Sequence, residues 1–179
     1  MKKIILLLAF ILAFYHLISL PSLFAEDDIT KGKRRVAVFP FEVNSPRKNE
    51  DWLSAAFPET LTNALTQVRS LLLVERGDLK HILAEQKLSQ TGIIDPKTAV
   101  RTGRILGAQT GVLGAFSRAG QAVRVTCRLV DMETTAVDDR HVIMVTKTLR
   151  SDEELFNVMD DLAKALIKSL ICSGLLCPL

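Results

Sequence analysis

The stretch Val123–Leu129 reads VRVTCRL, and it decides the fold class of the chain around it. Valine, cysteine and leucine occupy every second position, and arginine or threonine fills the positions between them. Successive side chains of a β-strand point to opposite faces of the sheet, so this alternation predicts a strand with one buried and one solvated face. Cys127 falls on the apolar face, where we expect it to act as a small buried hydrophobe.

Strands are also predicted on both sides of this stretch. Residues 110–116 precede it across a hairpin turn at 118–121, and residues 131–135 turn the chain into a further strand over 137–149. Short turns of this kind join antiparallel neighbours. The second half of the chain therefore predicts an antiparallel meander.

The first half alternates strands with helices. Residues 34–41, RRVAVFPF, are apolar and β-branched and predict a buried first strand, and residues 71–74, LLLV, predict a second one. Between them, apolar residues recur at spacings of three and four over 51–68, which predicts an amphipathic helix broken or bent at Pro58.

Start and stop signals outline two further helices. Asp78 is expected to cap a helix that ends at Gly92, and Asp95–Pro96 starts another that Gly107 ends. Gly103 lies inside the second helix although Gly costs about 1 kcal/mol relative to Ala there, so we expect close approach to the sheet.

A closing helix is predicted from Leu155 to Leu170, with Ser151 as its cap and Glu154 as the capping-box partner. The element order is then β-α-β-α-α-β-β-β-α. It predicts an α/β (α+β) fold, a mixed sheet with helices packed on it and the meander in its second half.

The amino terminus has the layout of a secretory signal peptide. Lysines follow Met1, an apolar core spans Ile4 to Phe14, and cleavage between Ala25 and Glu26 would follow a small residue. An uncleaved anchor is the alternative, because residues 4–20 lack charged side chains and approach the ~20 residues that span a bilayer. We favour cleavage because Pro21 breaks helices and the chain turns acidic after Ala25. No Cys lies near this junction, so we expect no lipid anchor.

We therefore expect a signal peptide at 1–25, a charged linker at 26–34, one domain at 35–171 and a short tail at 172–179. The basic run from Lys31 to Arg35 has no interleaved aromatic residues and lies near acidic residues 26–28, which indicates a solvated linker and no nucleic-acid partner. Cys172 and Cys177 form either a disulfide, which an exported protein can retain, or two free thiols.

No catalytic pattern emerges from the sequence. His81 and His141 have no metal-ligand spacing to Cys, Asp or Glu, and nucleophile-elbow, phosphate-loop and dinucleotide motifs are absent. We expect no metal, no cofactor and no enzymatic activity. An undetected enzyme would need a cleft in which one of these histidines meets carboxylates.

Two polar pairs stand out after the second predicted strand. Glu75 and Arg76 lie where that strand ends and a helix begins, and Glu85 and Gln86 follow ten residues later. A carboxylate there can meet free helix N–H groups, and a guanidinium can bridge carbonyls. The pairs either tie strand, helix and loop together or face a neighbouring subunit. A fully buried pair would cost about 3–5 kcal/mol when Arg76 is replaced by Ala.

The sequence resembles the CsgG-like domain of the curli production assembly/transport component. The resemblance covers about residues 35–148 and is looser to FlgO-type proteins and the TolB amino-terminal domain. It rests on VAVFPF at 36–41, LLVERGDLKHILAEQKLSQTG at 72–92, GRILGAQTGVLGAF at 103–116 and VRVTCRLVDMETTAV at 123–137. It implies a non-catalytic, periplasm-facing α/β domain in a family that forms oligomeric export rings, with Glu75, Arg76, Glu85 and Gln86 in the structural core motif.

Three departures separate the chain from the curli component. That component is a lipoprotein, whereas this signal junction has no Cys. The membrane hairpins of that component need extra β segments, for which the two tight turns between Gly114 and Val145 leave no room. Thr135 stands where the family often has glycine. The resemblance therefore transfers the fold and not the pore.

These observations predict an exported periplasmic scaffold or adaptor in envelope assembly or secretion. Its partners would be envelope proteins or further copies of itself, with peripheral association with the outer membrane. The alternative is a binding module that regulates an envelope enzyme such as a cell-wall synthase.

Overall fold

Six strands and four α-helices make up the computed structural model, which describes residues 32–85, 95–134 and 137–172, without the side chains of 137–141 and 172. The predicted order is confirmed, with one additional short strand, β2. The elements are β1 Arg34–Val38, β2 Glu42–Asn44, a 3-10 helix Lys48–Glu50, α1 Leu53–Leu65, β3 Leu71–Leu73, α2 Arg76–Glu85, α3 Pro96–Ile105, β4 Thr110–Ala119, β5 Ala122–Asp131, β6 Val137–Thr148 and α4 Glu154–Cys172.

The strands form one open mixed sheet in the order β3-β1-β4-β5-β6, and β2 pairs with β4 beyond the end of β1. β1 runs parallel to β3 and to β4, with Val36 opposite Leu73 and Thr110. β4, β5 and β6 are antiparallel to one another. The predicted mixed sheet with a meander in its second half is confirmed.

Helices cover the sheet on both sides. On one side α1 and α4 pack over a large apolar cluster that includes Phe41, Phe57 and Phe116. On the other side α2 and α3 contribute Leu79, Leu83, Ala99 and Val100 to a smaller cluster with Leu113, Val130 and Met132. Alternating residues of β4 supply both clusters, as a strand buried on both faces requires, whereas β5 gives four residues to the larger cluster and only Val130 to the smaller one.

Two glycines let side chains reach the backbone of β4, which is the middle strand of the order β3-β1-β4-β5-β6. A Cβ added to Gly114 would lie 2.2 Å from the ring of Phe41, and one added to Gly111 would lie 1.7 Å from Cε of Met132. Phe41 and Met132 are both fully buried. The two glycines therefore create the space that one large side chain from each cluster fills.

Helix α1 continues through Pro58, so of the two predicted alternatives, a break or a bend, the break is wrong. Proline has no N–H and leaves the carbonyl four residues earlier without its helical donor. That carbonyl belongs to Ser54, and it accepts a hydrogen bond from the backbone N–H of Phe41 at 3.0 Å. A tertiary contact thus satisfies the group that Pro58 leaves free.

The start of α3 agrees with the sequence prediction. Asp95 caps the helix by accepting from the backbone N–H groups of Lys97 at 2.9 Å and Thr98 at 3.1 Å, and Pro96 is the first helical residue. Gly107 follows the helix with a φ of +65°. Inside it, a Cβ on Gly103 would lie 2.6 Å from Sδ of Met132, which confirms the predicted close approach.

Other helix starts differ from the prediction. α2 begins at Arg76, so Asp78 lies in its first turn and is not its cap. α4 begins at Glu154, three residues after the predicted cap Ser151, and the Glu154 carboxylate accepts from the backbone N–H of Arg150 at 2.7 Å. The chain forms a turn before this helix. The Glu154 carboxylate therefore meets the N–H of Arg150, one residue before the predicted partner Ser151. Among the described helices, none is long and apolar enough to cross a membrane.

We predict that Gly114→Ala destabilises the protein by about 1–3 kcal/mol, because the added methyl group overlaps the Phe41 ring and overpacks the core. Gly77→Ala is the matched control, since nothing lies within 4 Å of its added Cβ and Ala favours a helix. Urea unfolding of both variants measures the difference. Equal stability of the two variants would contradict the packing account.

The second prediction concerns pH. The Thr98 hydroxyl and the Thr98 and Lys97 amides donate to Asp95 and hold its pKa below the ordinary 3.8. A depressed pKa contributes stability above the unfolded-state pKa, and that contribution is lost as the pH falls through the folded-state pKa. We expect Asp95→Ala to cost about 1 kcal/mol near neutral pH and less in acid. Asp95→Asn keeps a side-chain oxygen that can cap the helix, and this residue does not titrate. Urea unfolding of the wild type and the two variants, near neutral pH and in acid, compares their stabilities. A cost of Asp95→Ala that does not change with pH would refute the proposed role.

Candidate functional site

Glu75 and Arg76 lie at the junction between β3 and α2. The backbone N–H of Val74 donates to the carbonyl of Val36 on β1 at 2.9 Å, and the carbonyl of Glu75 accepts from the N–H of Leu79 at 3.1 Å. One bond belongs to the sheet and the next to the helix. The chain therefore passes from strand to helix within two residues, as the sequence predicts.

The Arg76 guanidinium connects this junction to α1. Its Nη1 lies 2.9 Å from Oε2 of Glu59, and its Nη2 donates to the carbonyl of Ala55 at 3.4 Å. The side chains of Arg76 and Glu59 are 38% and 62% exposed. Arg76 thus joins helices from the two sides of the sheet, and an ion pair this exposed contributes about 0–1 kcal/mol. The larger cost expected for a fully buried pair does not apply.

The other half of the sequence motif lies at the far end of α2. Glu85 is exposed, and its Oε1 is 3.5 Å from Nδ1 of His81, one helical turn earlier. Ten helical residues separate it from Glu75, which corresponds to about 15 Å. The structure therefore does not bring Glu75, Arg76 and Glu85 into one cluster, and their role as a core motif or a subunit contact stays a prediction.

Several predicted positions lie outside the described residues: Ala25, Glu26, Gln86, Gly92, Thr135, Cys177 and the side chains of His141 and Cys172. Among the residues that are described, no group of three or more His, Cys, Asp or Glu is placed to hold a metal ion. Cys127 is 1% exposed, as predicted, and burial raises the pKa of its thiol to about 12. A thiol with that pKa is protonated at neutral pH and is a poor nucleophile.

Sequence reasoning missed a buried ion pair between Glu50 and Arg118. Nη2 of Arg118 lies 2.7 Å from Oε1 of Glu50, and Nε donates to Oε2 at 3.1 Å. Only 1% of the Arg118 side chain and 4% of the Glu50 side chain are exposed. The Nε–Oε2 contact is a hydrogen bond, whereas Nη2 and Oε1 are close ion-pair partners without hydrogen-bond geometry.

More polar residues surround this pair at the end of β4. The Ser45 hydroxyl donates a hydrogen bond to the Glu50 carboxylate, and Nη1 of Arg47 lies 3.7 Å from Oε1 of that carboxylate. Arg47 also donates to both oxygens of Asp152, at 2.8 and 3.0 Å, and Asp152 lies 3.5 Å from Nη2 of Arg118. The network joins the segment after β2, the β4–β5 hairpin and the segment before α4.

One sequence signal could have placed Arg118 inward. In β4 the side chains of Val112, Phe116 and Arg118 alternate onto the same face, and the first two are buried. The sequence prediction instead assigned Arg118 to the hairpin turn. The observed turn contains only Gly120 and Gln121, and Arg118 pairs with Val123 inside the strand ladder.

Comparison with known proteins identifies the family. The family model described as "Curli production assembly/transport component CsgG" matches residues 18–126, more than half of the chain. The chain belongs to the CsgG family. The match runs from β1 through α1, α2, α3 and β4 into β5, so it includes Glu75, Arg76, Glu85, Gln86 and the Glu50–Arg118 pair.

Solved structures share the fold at low sequence identity. The LpoB C-terminal domain from Escherichia coli matches with a TM-score of 0.53 and 20% identity over 71% of this chain and 90% of that one. The LpoB C-terminal domain from Salmonella enterica gives 0.52 and 20% over 66% and 84%, and lipoprotein GNA1162 from Neisseria meningitidis gives 0.51 and 15% over 75% and 96%. No curated protein matches this sequence significantly.

We predict that Arg118→Ala costs about 3–5 kcal/mol, because it leaves the Glu50 carboxylate buried without its partner. Arg47→Ala is the control: its 41% exposed side chain should be worth about 0–1 kcal/mol. Replacing both buried charges, Glu50→Leu with Arg118→Met, should restore most of the stability. Urea unfolding measures all three. If Arg118→Ala costs no more than Arg47→Ala, the pair is not the buried contact described.

Proposed function

We propose that this chain is a non-catalytic, exported periplasmic protein that acts as a scaffold or adaptor in cell-envelope assembly or secretion. The observation that carries the proposal is membership of the CsgG family, a family of curli production assembly/transport components, over residues 18–126. The signal-peptide layout of residues 1–25 supports export.

The chemistry of the described residues supports a binding role. Three sets of ionisable side chains form contacts within the fold: Arg76 joins two helices, Glu50 and Arg118 neutralise one another, and Asp95 caps a helix. These contacts explain those charged groups without assigning any of them to a substrate. The absence of enzymatic activity and of a cofactor remains part of the proposal.

The proposal includes the organisation of the chain: a signal peptide at 1–25, a linker at 26–34, a domain at 35–171 and a tail at 172–179. A compact unit begins at Gly32, inside the proposed linker. The first strand follows at Arg34, and the last described helix ends at Cys172. Envelope proteins, or further copies of the chain, are the proposed partners, with peripheral association with the outer membrane and no lipid anchor.

The second candidate is a binding module that regulates an envelope enzyme such as a cell-wall synthase. The tight β4–β5 connection favours it, because Gly120 and Gln121 alone join two fully paired strands. This connection contains no inserted segment that could extend toward a membrane. A chain built in this way can act as a compact partner of another protein.

Export is the direct test. We expect fractionation of cells that express the full chain to place it in the periplasm, with Glu26 as its first residue. Lys2→Glu combined with Lys3→Glu removes the positive charge that precedes the apolar core and should retain the protein in the cytoplasm. Lys31→Glu combined with Lys33→Glu changes the same charge beyond the cleavage site and should not affect export.

N-terminal sequencing of each fraction separates the outcomes. Cytoplasmic wild-type protein that retains its amino terminus would contradict the proposed function. Membrane-bound protein that retains it would replace signal cleavage with the uncleaved-anchor interpretation. Periplasmic protein that begins at Glu26 is the result we predict.

A further inference from the structure

Six large hydrophobic side chains are exposed in the part of the chain that the structure describes, and four of them form two pairs. Their exposed fractions are between 47% and 60%. The six are Trp52, Ile105, Val142, Met144, Phe156 and Ile171. Exposed apolar side chains that lie together mark contact surfaces more often than isolated ones do.

The first pair consists of Trp52 and Phe156. Trp52 directly precedes α1, Phe156 lies in the first turn of α4, and their ring centroids are 6.3 Å apart with the planes tilted by 43°. Tryptophan and other large aromatic residues dominate the energetics of protein interfaces when a partner covers them. We call this surface the aromatic face.

Acidic residues border the aromatic face. Asp51 precedes Trp52, Glu153 lies just before α4, and Asp160 is one helical turn after Phe156, on the same side of the helix; all three are exposed. Of the nearby bases, Arg47 is paired with Asp152, and the other exposed bases are Lys48, four residues before Trp52, and Arg150, six residues before Phe156. Apart from the Arg47–Asp152 pair, three exposed acids and two exposed bases therefore flank the two rings in the sequence.

The second pair consists of Val142 and Met144 on the outer strand β6. Val142 lies opposite Arg128 of β5, Met144 opposite Thr126, and Thr146 opposite Arg124. Residues opposite one another in an antiparallel ladder share a face of the sheet. Arg124 and Arg128 are exposed, so two arginines border two apolar side chains. We call this surface the open sheet face.

The open sheet face is on the side of the sheet that α2 and α3 cover elsewhere. Those helices bury Leu113 and Val130 toward one end of β4 and β5. On the same side, Glu42 of β2 lies opposite Ala115 of β4, which in turn lies opposite Thr126 of β5. Glu42 accepts a hydrogen bond from Asn44 at 3.0 Å. The arginines are therefore the described charges next to Val142 and Met144.

We propose that the aromatic face of one copy docks on the open sheet face of a second copy. The proposal rests on the scaffold role given above and deepens it by naming the partner. The two faces are complementary in charge: the acids around the aromatic rings would meet Arg124 and Arg128, while the rings cover Val142 and Met144. Charge complementarity of this kind favours one orientation of docking and disfavours others.

Topology determines the symmetry of the contact. The aromatic face belongs to α1 and α4, and the open sheet face is on the opposite side of the sheet, so a single copy cannot close the contact on itself. Two different surfaces meet, which makes the contact head-to-tail. An open assembly always keeps one free face of each kind. It therefore either closes into a ring or extends as a filament.

A mixing experiment tests this directly. Trp52→Ser with Phe156→Ser removes the aromatic face, and Arg124→Glu with Arg128→Glu reverses the charge of the open sheet face. We expect wild-type protein to form assemblies and each double variant alone to have the mass of one chain. Mixed in equal amounts, the two variants should give a two-chain complex, because one intact face of each kind remains. Light scattering on a sizing column measures the masses.

Matched controls come from the same molecule. Ile105→Ser removes an exposed apolar side chain outside both faces, and Arg69→Glu reverses an exposed charge on neither, so both should assemble like wild type. If a double variant fails to fold by circular dichroism, the single variants Phe156→Ser and Arg128→Glu replace it.

Three outcomes would overturn the inference: a wild-type mass of one chain, assembly that neither face variant reduces, or a mixture that stays at the mass of one chain. None of these results affects the export test, so periplasmic protein with the mass of one chain would keep the proposed adaptor role and reject only the docking of a second copy.

Discussion

The structure depends on how closely side chains can approach β4. This strand pairs with β1 and β2 along one edge and with β5 along the other, and it lies between both apolar clusters. Gly111 and Gly114 leave room on opposite faces for Met132 and Phe41. Interiors packed at crystal-like density do not tolerate extra volume, so these positions determine how near each helical layer lies to the sheet. Phe41 extends the effect by stacking on Phe57 of α1 at 5.6 Å.

The buried Glu50–Arg118 pair acts at one end of the same strand. Burying two charges costs solvation free energy, which their mutual attraction and further polar contacts offset. Here Ser45, Arg47 and Asp152 supply that support. Glu50 is two residues before Trp52, and Asp152 is four before Phe156. The network therefore holds in place the two segments that present the aromatic face. A change in the buried ion pair would then also change the surface that we propose docks on a second copy.

Local signals made much of the fold predictable from sequence. The alternation in β5, the Asp95 cap and the cost of Gly103 within a helix each have one physical explanation, and the structure agrees with all three. β2 was not predicted, because three residues are too few to show alternation and the strand is defined by its pairing with β4. Pro58 does not break α1, because the donor that compensates for it comes from Phe41, outside the helix.

The candidate site was harder to predict. Glu50 and Arg118 are 68 residues apart, and only the fold places them in contact. Glu75, Arg76 and Glu85 were predicted to act together because they are close in sequence. The length of α2 separates Glu85 from Glu75 and Arg76. The two exposed faces draw their residues from different elements, so their composition follows from the sheet register and helix packing.

We propose that this CsgG-family protein works by binding other proteins through exposed faces. Site-specific photo-crosslinking in living cells tests it most directly, with the crosslinker placed in turn at Phe156, Met144 and Ile105. We predict adducts from Phe156 and Met144 and none from Ile105, with both adducts at the mass of two chains. Equal labelling at all three positions, or no adduct from either face, would contradict it.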